Sequence, residues 1–296
     1  MKLTVIAGPT ASGKSALALE LAERSGAEIV SADSQQVYRY FDIGTAKPTA
    51  AEHARVPHHC VSIVEPEETF SAAHFQRHAD AAIADIQARG KRVFVVGGSG
   101  LYLRVLLHGV VDAPPADAAL RASLTAEAET HGRLHLHARL ATVDPLTAAR
   151  LSPNDLVRVI RALEIHALTG TRPSALYADH AFAADRYDYE LYALAPDRVA
   201  LYAAINARTK QLFERGLLEE TRALVERGFR GTAPMRSVGY RQALDAVEGR
   251  STPAAAESST AQETRHFAKR QRTWLKKEAR ARFVVPDASG YYVLPP

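Results

Sequence analysis

A chain of 296 residues, 47% of them hydrophobic, can bury a full core as one large domain or as one domain with a smaller insertion. The net charge is only +4, and the basic residues gather toward the C-terminal end, so any nucleic-acid surface is local rather than global. The single cysteine, Cys60, excludes an intramolecular disulfide; no apolar run approaches a membrane span, and Met1-Lys2 leads straight into a strand pattern, so a cytoplasmic protein without membrane contact is expected.

The first predicted element is the apolar strand Leu3-Thr4-Val5-Ile6-Ala7. It runs into Gly8-Pro9-Thr10-Ala11-Ser12-Gly13-Lys14-Ser15, a G-x-x-x-x-G-K-S phosphate loop, followed by a helical pattern over about 14–24. Gly8 and Gly13 let successive N–H groups turn into one hollow, and the helix start adds its positive dipole end. Lys14 brings a mobile cation, and the Ser15 hydroxyl is suited to Mg²⁺. The loop therefore predicts a di- or triphosphate ligand without saying which.

A second strand, 28–32, ends at Asp33, and an irregular polar stretch follows. Residues 71–89 read as a helix from the spacing of Ala72, Phe75, Ala79, Ile83 and Ile86. Arg92-Val93-Phe94-Val95-Val96 is a buried strand closed by Gly97-Gly98-Ser99-Gly100. Composition changes at Asp112-Ala113-Pro114-Pro115; from there to about 188 the pattern is helical, and the next strand is 189–194. Long helical patterns follow at about 197–227 and 254–281. Repeated strand–helix units predict an α/β fold, a P-loop NTPase-like parallel sheet with helices on both faces and ligands beyond the C-terminal strand ends. The expected organisation is a catalytic core of residues 1–112 and 189–296, interrupted by a helical subdomain over 113–188.

Asp33-Ser34-Gln35-Gln36-Val37-Tyr38 follows the second strand. One carboxylate beside two amides suits proton removal from an N–H nucleophile and reading of a base edge; an N-cap is the plain structural alternative. The histidines are not a metal site: His131, His135 and His137 lack companion ligands at zinc spacing, and the adjacent His58 and His59 do not converge easily on one ion.

With Asp42-Ile43-Gly44-Thr45-Ala46-Lys47-Pro48, Gly97-Gly98-Ser99-Gly100-Leu101-Tyr102, Asn154-Asp155-x-x-Arg158-x-x-Arg161, Arg236-Ser237-Val238-Gly239-Tyr240-Arg241 and Ala268-Lys269-Arg270-Gln271-x-Thr273-Trp274-Leu275, the chain resembles the tRNA dimethylallyltransferases over about 8–276. The resemblance implies transfer of a dimethylallyl group from dimethylallyl diphosphate to the exocyclic amine of the adenosine next to the anticodon. It implies that Gly8, Pro9, Thr10, Ala11, Ser12, Gly13, Lys14 and Ser15 hold the diphosphate with Mg²⁺, and that Arg208 assists. It assigns proton removal to Asp33, with Ser99 and Lys14 at the reacting centre. Ser99 stands where the family usually has threonine, so the same contact is expected, held less rigidly.

The tRNA anticodon stem-loop would be gripped by Asp33, Ser34, Gln35, Gln36 and Ser99. Further contacts are implied at Arg121, at Val157, Arg158, Val159, Ile160 and Arg161, and at Arg236, Ser237, Val238, Gly239, Tyr240 and Arg241. The last set is Lys269, Arg270, Gln271, Arg272, Thr273, Trp274, Leu275 and Lys276. Residues 264–282 carry eight Lys or Arg against Glu278 alone, with 265, 269, 272, 276 and 280 in one helical stripe suited to a phosphate backbone. Phe267, Trp274 and Leu275 point mostly elsewhere and anchor that helix. A solvated basic face, an Arg161–Glu164 ion pair and a packed Tyr240 are the structural alternatives. The rivals are a phosphate-loop kinase, a transferase acting on free adenine nucleotides, and a non-catalytic RNA-binding protein. A monomer is expected.

Overall fold

The computed structural model describes residues 1–180, 182 and 184–294. Two compact units emerge, one of Met1–His108 with Asp185–Pro296, the other Gly109–Ala184; both ends of the second lie a few residues before the composition breaks.

The first unit begins with β1 (Leu3–Ala7), α1 (Lys14–Ser25), β2 (Glu28–Ala32), α2 (Ala50–Arg55), β3 (His58–His59), α3 (Ala72–Ala88), β4 (Val93–Gly97) and α4 (Gly100–His108). The second unit holds α5 (Ala118–His131), α6 (Arg133–Val143), α7 (Pro145–Arg150), α8 (Leu156–Thr169) and α9 (Pro173–His180). The chain returns with β5 (Tyr189–Leu194), α10 (Arg198–Glu214), α11 (Leu217–Glu226), α12 (Tyr240–Val247), α13 (Pro253–Leu275) and β6 (Ala281–Val284).

The strands form one sheet in the order β3-β2-β4-β1-β5-β6, and every pair is parallel. Both faces are covered, because side chains alternate sides along each strand. Leu3, Val5, Val93 and Val95 join the cluster around Phe75, Ile83 and Leu103 of α3 and α4. Ile6, Phe94 and Val96 join the opposite cluster with Leu17, Ala18 and Ala22 of α1. This is the physical reason the central strands read as continuous apolar runs. The helical unit has its own core of Leu124, Leu136, Leu140, Val159 and Leu163.

Two sequence expectations are corrected. The pattern over 197–227 is two helices, since Gly216, at φ +99°, takes a left-handed conformation that ends α10 and starts α11. The pattern over 254–281 stops at Leu275, and residues 281–284 form β6 in parallel register with β5 (Leu191↔Ala281 to Leu194↔Val284). A four-residue edge strand that contains Arg282 and follows Arg280 carries little apolar signal, and charge is how edges are commonly protected.

Candidate active site

The phosphate loop joins β1 to α1. Ala11 and Gly13 both have positive φ, +61° and +84°, and the first intrahelical bond runs from the Leu17 N–H to the Gly13 carbonyl. The N–H groups from Gly13 to Ala16 therefore precede the helix ladder, at its positive end. Ser12 is buried and its Oγ has no partner among the described residues. Lys14 donates to the Pro9 carbonyl at 3.2 Å. Burial, and then the nearby Arg208 cation, push its pKa down to about 8 against the opposing pull of Asp33.

The loop opens into a cavity of about 390 Å³ lined by Lys14, Ser15, Asp33, Lys47, Arg208 and Arg215 among others. A second cavity, about 340 Å³, is lined by Ser34, Gln35, Ser99, Arg236, Val238, Gly239 and Arg270. Asp33, Arg208, Thr10, Thr45, Phe267 and Gln271 line both. The carboxylate of Asp33 thus lies where the cavity at the phosphate loop meets a second, separately lined one.

Asp33 Oδ1 accepts the N–H groups of Gln35 at 2.8 Å and Gln36 at 3.3 Å, so the carboxylate also fixes its own turn. Ser99 Oγ accepts the Ser34 N–H at 3.0 Å and lies 3.4 Å from Ser34 Oγ, which ties the end of β4 to the Asp33 turn. The two glutamines separate. Gln36 accepts from Ser31 and donates to the Thr45 and Ala46 carbonyls, so its amide is committed to the fold and does not read a base. Gln35 keeps a buried Oε1 with no partner among the described residues, at the wall of the second cavity.

The basic C-terminal stripe is shorter than the sequence suggested. Lys269, Arg270, Lys276 and Thr273 are exposed and Arg272 is half-buried, but α13 ends at Leu275. Arg280 instead pairs with Asp185 and lies over the Tyr189 ring, and Arg282 pairs with Glu190. Arg265 donates to Asn206 at 2.7 Å. Leu275 is buried and Trp274 packs its ring at Gly100 and near Arg104, so both anchor the helix rather than touch a ligand. Phe267 is the reverse: expected as an anchor, it is 38% exposed and forms cavity wall.

Other expected contacts are also structural. Tyr240 is fully buried; its hydroxyl donates to Glu220 and accepts the Gly44 N–H, so it packs and does not stack on a base. Arg236, Ser237, Val238 and Gly239 line the second cavity, while Arg241 faces Glu263 at 4.0 Å. In the helical unit, Val159 and Ile160 are core, whereas Val157 is 80% exposed and Arg158 stays exposed beside Asp155. Arg121 and Arg161 are held by the fully buried Glu164, Arg121 through two bonds of 2.8 Å and Arg161 at 2.5 Å. Gln271 is buried and bonded to the Thr10 N–H and the Gly98 carbonyl, which removes it from the RNA-facing set.

Sequence reasoning missed two cavity cations. Arg215 lies seven residues after Arg208, two helical turns along one face, a spacing that could have found it. Lys47 is buried, donating to the Tyr38 carbonyl and to Asp42 at 2.7 Å, and no local pattern announces that. Among the described residues, no group of three or more His, Cys, Asp or Glu could hold a metal ion, and no helix is long and apolar enough to cross a membrane.

Fold and site together define an α/β protein with a phosphate loop opening into a cavity beside a carboxylate. Residues 36–278 match the model of the IPP transferase family. The chain is 65% identical over 284 residues to the tRNA dimethylallyltransferase of Myxococcus xanthus, covering 96% of this chain and 92% of that one. It is 56% identical over 285 residues to the tRNA dimethylallyltransferase of an Anaeromyxobacter species, covering 96% and 95%. Among solved structures it is similar to the tRNA isopentenylpyrophosphate transferase of Bacillus halodurans, with TM-score 0.70, 39% identity and coverage of 96% and 89%. A eukaryotic dimethylallyltransferase solved acting on tRNA gives TM-score 0.81 at 28% identity, covering 96% of this chain and 74% of that one. The chain belongs to the IPP transferase family.

Proposed function

We propose that the protein transfers a dimethylallyl group from dimethylallyl diphosphate to the exocyclic amine of the adenosine 3′-adjacent to the anticodon in tRNA, releasing diphosphate. The observation that carries this reading is the pair of cavities meeting at Asp33 and Arg208, one built around a phosphate loop and the other lined by Ser99, Gln35, Arg236 and Arg270.

The adenine amine is a weak nucleophile, because its lone pair is delocalised into the ring. As the N–C bond forms at the allylic carbon and the C–O bond to diphosphate breaks, the amine must lose a proton. Asp33 accepts it, held in place by the Gln35 and Gln36 N–H groups. The orphaned Oε1 of Gln35 is an acceptor suited to the base's donor edge. Negative charge gathers on the leaving diphosphate, where Lys14, Arg208 and the free N–H groups of the loop stabilise it. Ser15, exposed at this cavity, offers one hard oxygen; with the diphosphate oxygens and water this fits Mg²⁺, which uses few protein ligands. When bound, the ion adds charge neutralisation on the leaving group. Exposed Lys269, Arg270 and Lys276 supply a backbone-binding face, and the target base leaves its stack to enter the second cavity.

The test is the mass of an unmodified anticodon stem-loop after incubation with the protein, Mg²⁺ and dimethylallyl diphosphate. The expected result is a gain of one dimethylallyl group on the adenosine beside the anticodon. Asp33→Ala should lower the turnover rate by about 10²- to 10⁴-fold. Prenylation of free adenine nucleotide but not RNA, or ATP consumption without prenylation, would overturn the reading.

A further inference from the structure

We propose that Gln271 is a positioning residue for the transfer reaction, holding the diphosphate loop in register with the turn that carries Ser99. The inference rests on the prenyl-transfer reading above.

Gln271 lies on α13, among the basic residues that face RNA, yet it is only 7% exposed. Its Oε1 accepts the Thr10 N–H at 2.8 Å, and its Nε2 donates to the Gly98 carbonyl at 2.9 Å. Thr10 belongs to the loop after β1, and Gly98 to the turn after β4. These strands are sheet neighbours whose pairing runs as far as Ala7↔Gly97. Beyond that point the Gln271 amide spans the two loops and replaces the strand ladder with one donor and one acceptor on a single rigid plane. The amide supplies both; an ionised carboxylate lacks the donor, and a thioether lacks the N–H.

The neighbouring chain makes room for this bridge. A Cβ at Gly98 would lie 2.4 Å from Nε2 of Gln271 and 3.0 Å from the Gly8 carbonyl oxygen. The bridge reaches both sides of the reaction. Thr10 is within the loop that holds the leaving group. Gly98 precedes Ser99, whose hydroxyl receives the Ser34 N–H next to Asp33. Moving either end changes the distance between the scissile carbon–oxygen bond and the proton-accepting carboxylate. Displacements near 1 Å at a reacting centre cost on the order of 10²-fold in rate.

The test compares the native chain with Gln271→Met and Gln271→Glu. It uses a synthetic unmodified anticodon stem-loop and dimethylallyl diphosphate. Three readouts are taken: the single-turnover rate at saturation of both substrates, the Kd of the stem-loop without donor, and Tm. The expected result is a rate lower by about 10²-fold for both variants, with the RNA Kd within about twofold of native. Should Gln271→Met fail to fold, Gln271→Glu retains the acceptor for Thr10 and isolates the bond to Gly98. Gly98→Ala displaces the amide from the other side and should give the same split. An RNA Kd raised tenfold at an unchanged saturated rate would make Gln271 an RNA contact and overturn the proposal. A lower Tm with unchanged rate and Kd would make it purely structural and also overturn it. If the native chain transfers no prenyl group, the parent reading fails first, a result separate from either of these.

Discussion

Two pairs of arginines in this molecule have opposite fates. In the helical unit, Arg121 and Arg161 converge on Glu164, which is fully buried and also accepts the Asp117 N–H at 2.7 Å. In the unit that carries the sheet, Arg208 and Arg215 line the cavity at the phosphate loop, and among the described residues neither side chain forms an ion pair or a hydrogen bond, although the Arg215 N–H caps α10 on the Gln211 carbonyl. Burial and the nearby Arg215 lower the Arg208 pKa, and Asp33 opposes this only in part. The first pair has its counter-charge built in and holds a fold together. The second leaves a concentration of positive charge, with Lys14, of the kind that suits an anionic ligand. Residue type does not distinguish the two cases; the neighbourhood does.

The comparison is tested most severely at Glu164. Glu164→Gln leaves two guanidinium groups around a buried site without their anion, and should destabilise the helical unit by about 3 kcal/mol, read by denaturant unfolding. The same group sets an acid limit. Its pKa is lowered to about 2, because the bonds from Arg121 and Arg161 outweigh the effect of burial. A depressed carboxylate stabilises the folded state fully above its ordinary value near 4.5 and loses that contribution as pH falls toward 2. The native chain should therefore lose about 3 kcal/mol across that window, and the Gln variant should not.

Arg208→Gln should behave in the opposite way. The expected loss is about 10- to 10²-fold in kcat/KM for dimethylallyl diphosphate, with Tm unchanged or slightly raised by relief of like-charge crowding. A fall in Tm matching that of Glu164→Gln would break the comparison. A milder probe is pH. Lys14, its pKa pushed down to about 8 by burial and then by Arg208, is protonated below that value and supplies its charge there. The Kd of diphosphate should therefore rise by up to about tenfold per pH unit above 8, and Lys14→Met should flatten that profile. The smallest effect is expected for Arg121→Lys, which keeps the charge but loses the two-bond fork on Glu164. Because Arg121 is 42% exposed and Arg161 remains, the cost should be about 1 kcal/mol in unfolding free energy, with donor affinity untouched.

By itself the sequence determined the parallel sheet, the phosphate loop and the place of Asp33. These are local features: apolar runs of strand length, glycines at fixed offsets, and a carboxylate at a strand end. It also marked the helical insertion through a change in composition. What it did not determine was how individual polar groups are paired, since hydrogen-bond partners come from segments distant in the chain. Gln36, Tyr240 and Gln271 looked like ligand contacts on motif grounds, but each is committed to carbonyls, N–H groups or Glu220 within the fold. Gln35 alone of the adjacent amides keeps a buried unpaired oxygen at a cavity. The break at Gly216 and the strand Ala281–Val284 likewise needed tertiary context, one being a single left-handed residue and the other a short strand stabilised only by pairing with β5. Motif spacing reports which residues come together at a strand end; only packing decides which of them remain free to meet a substrate.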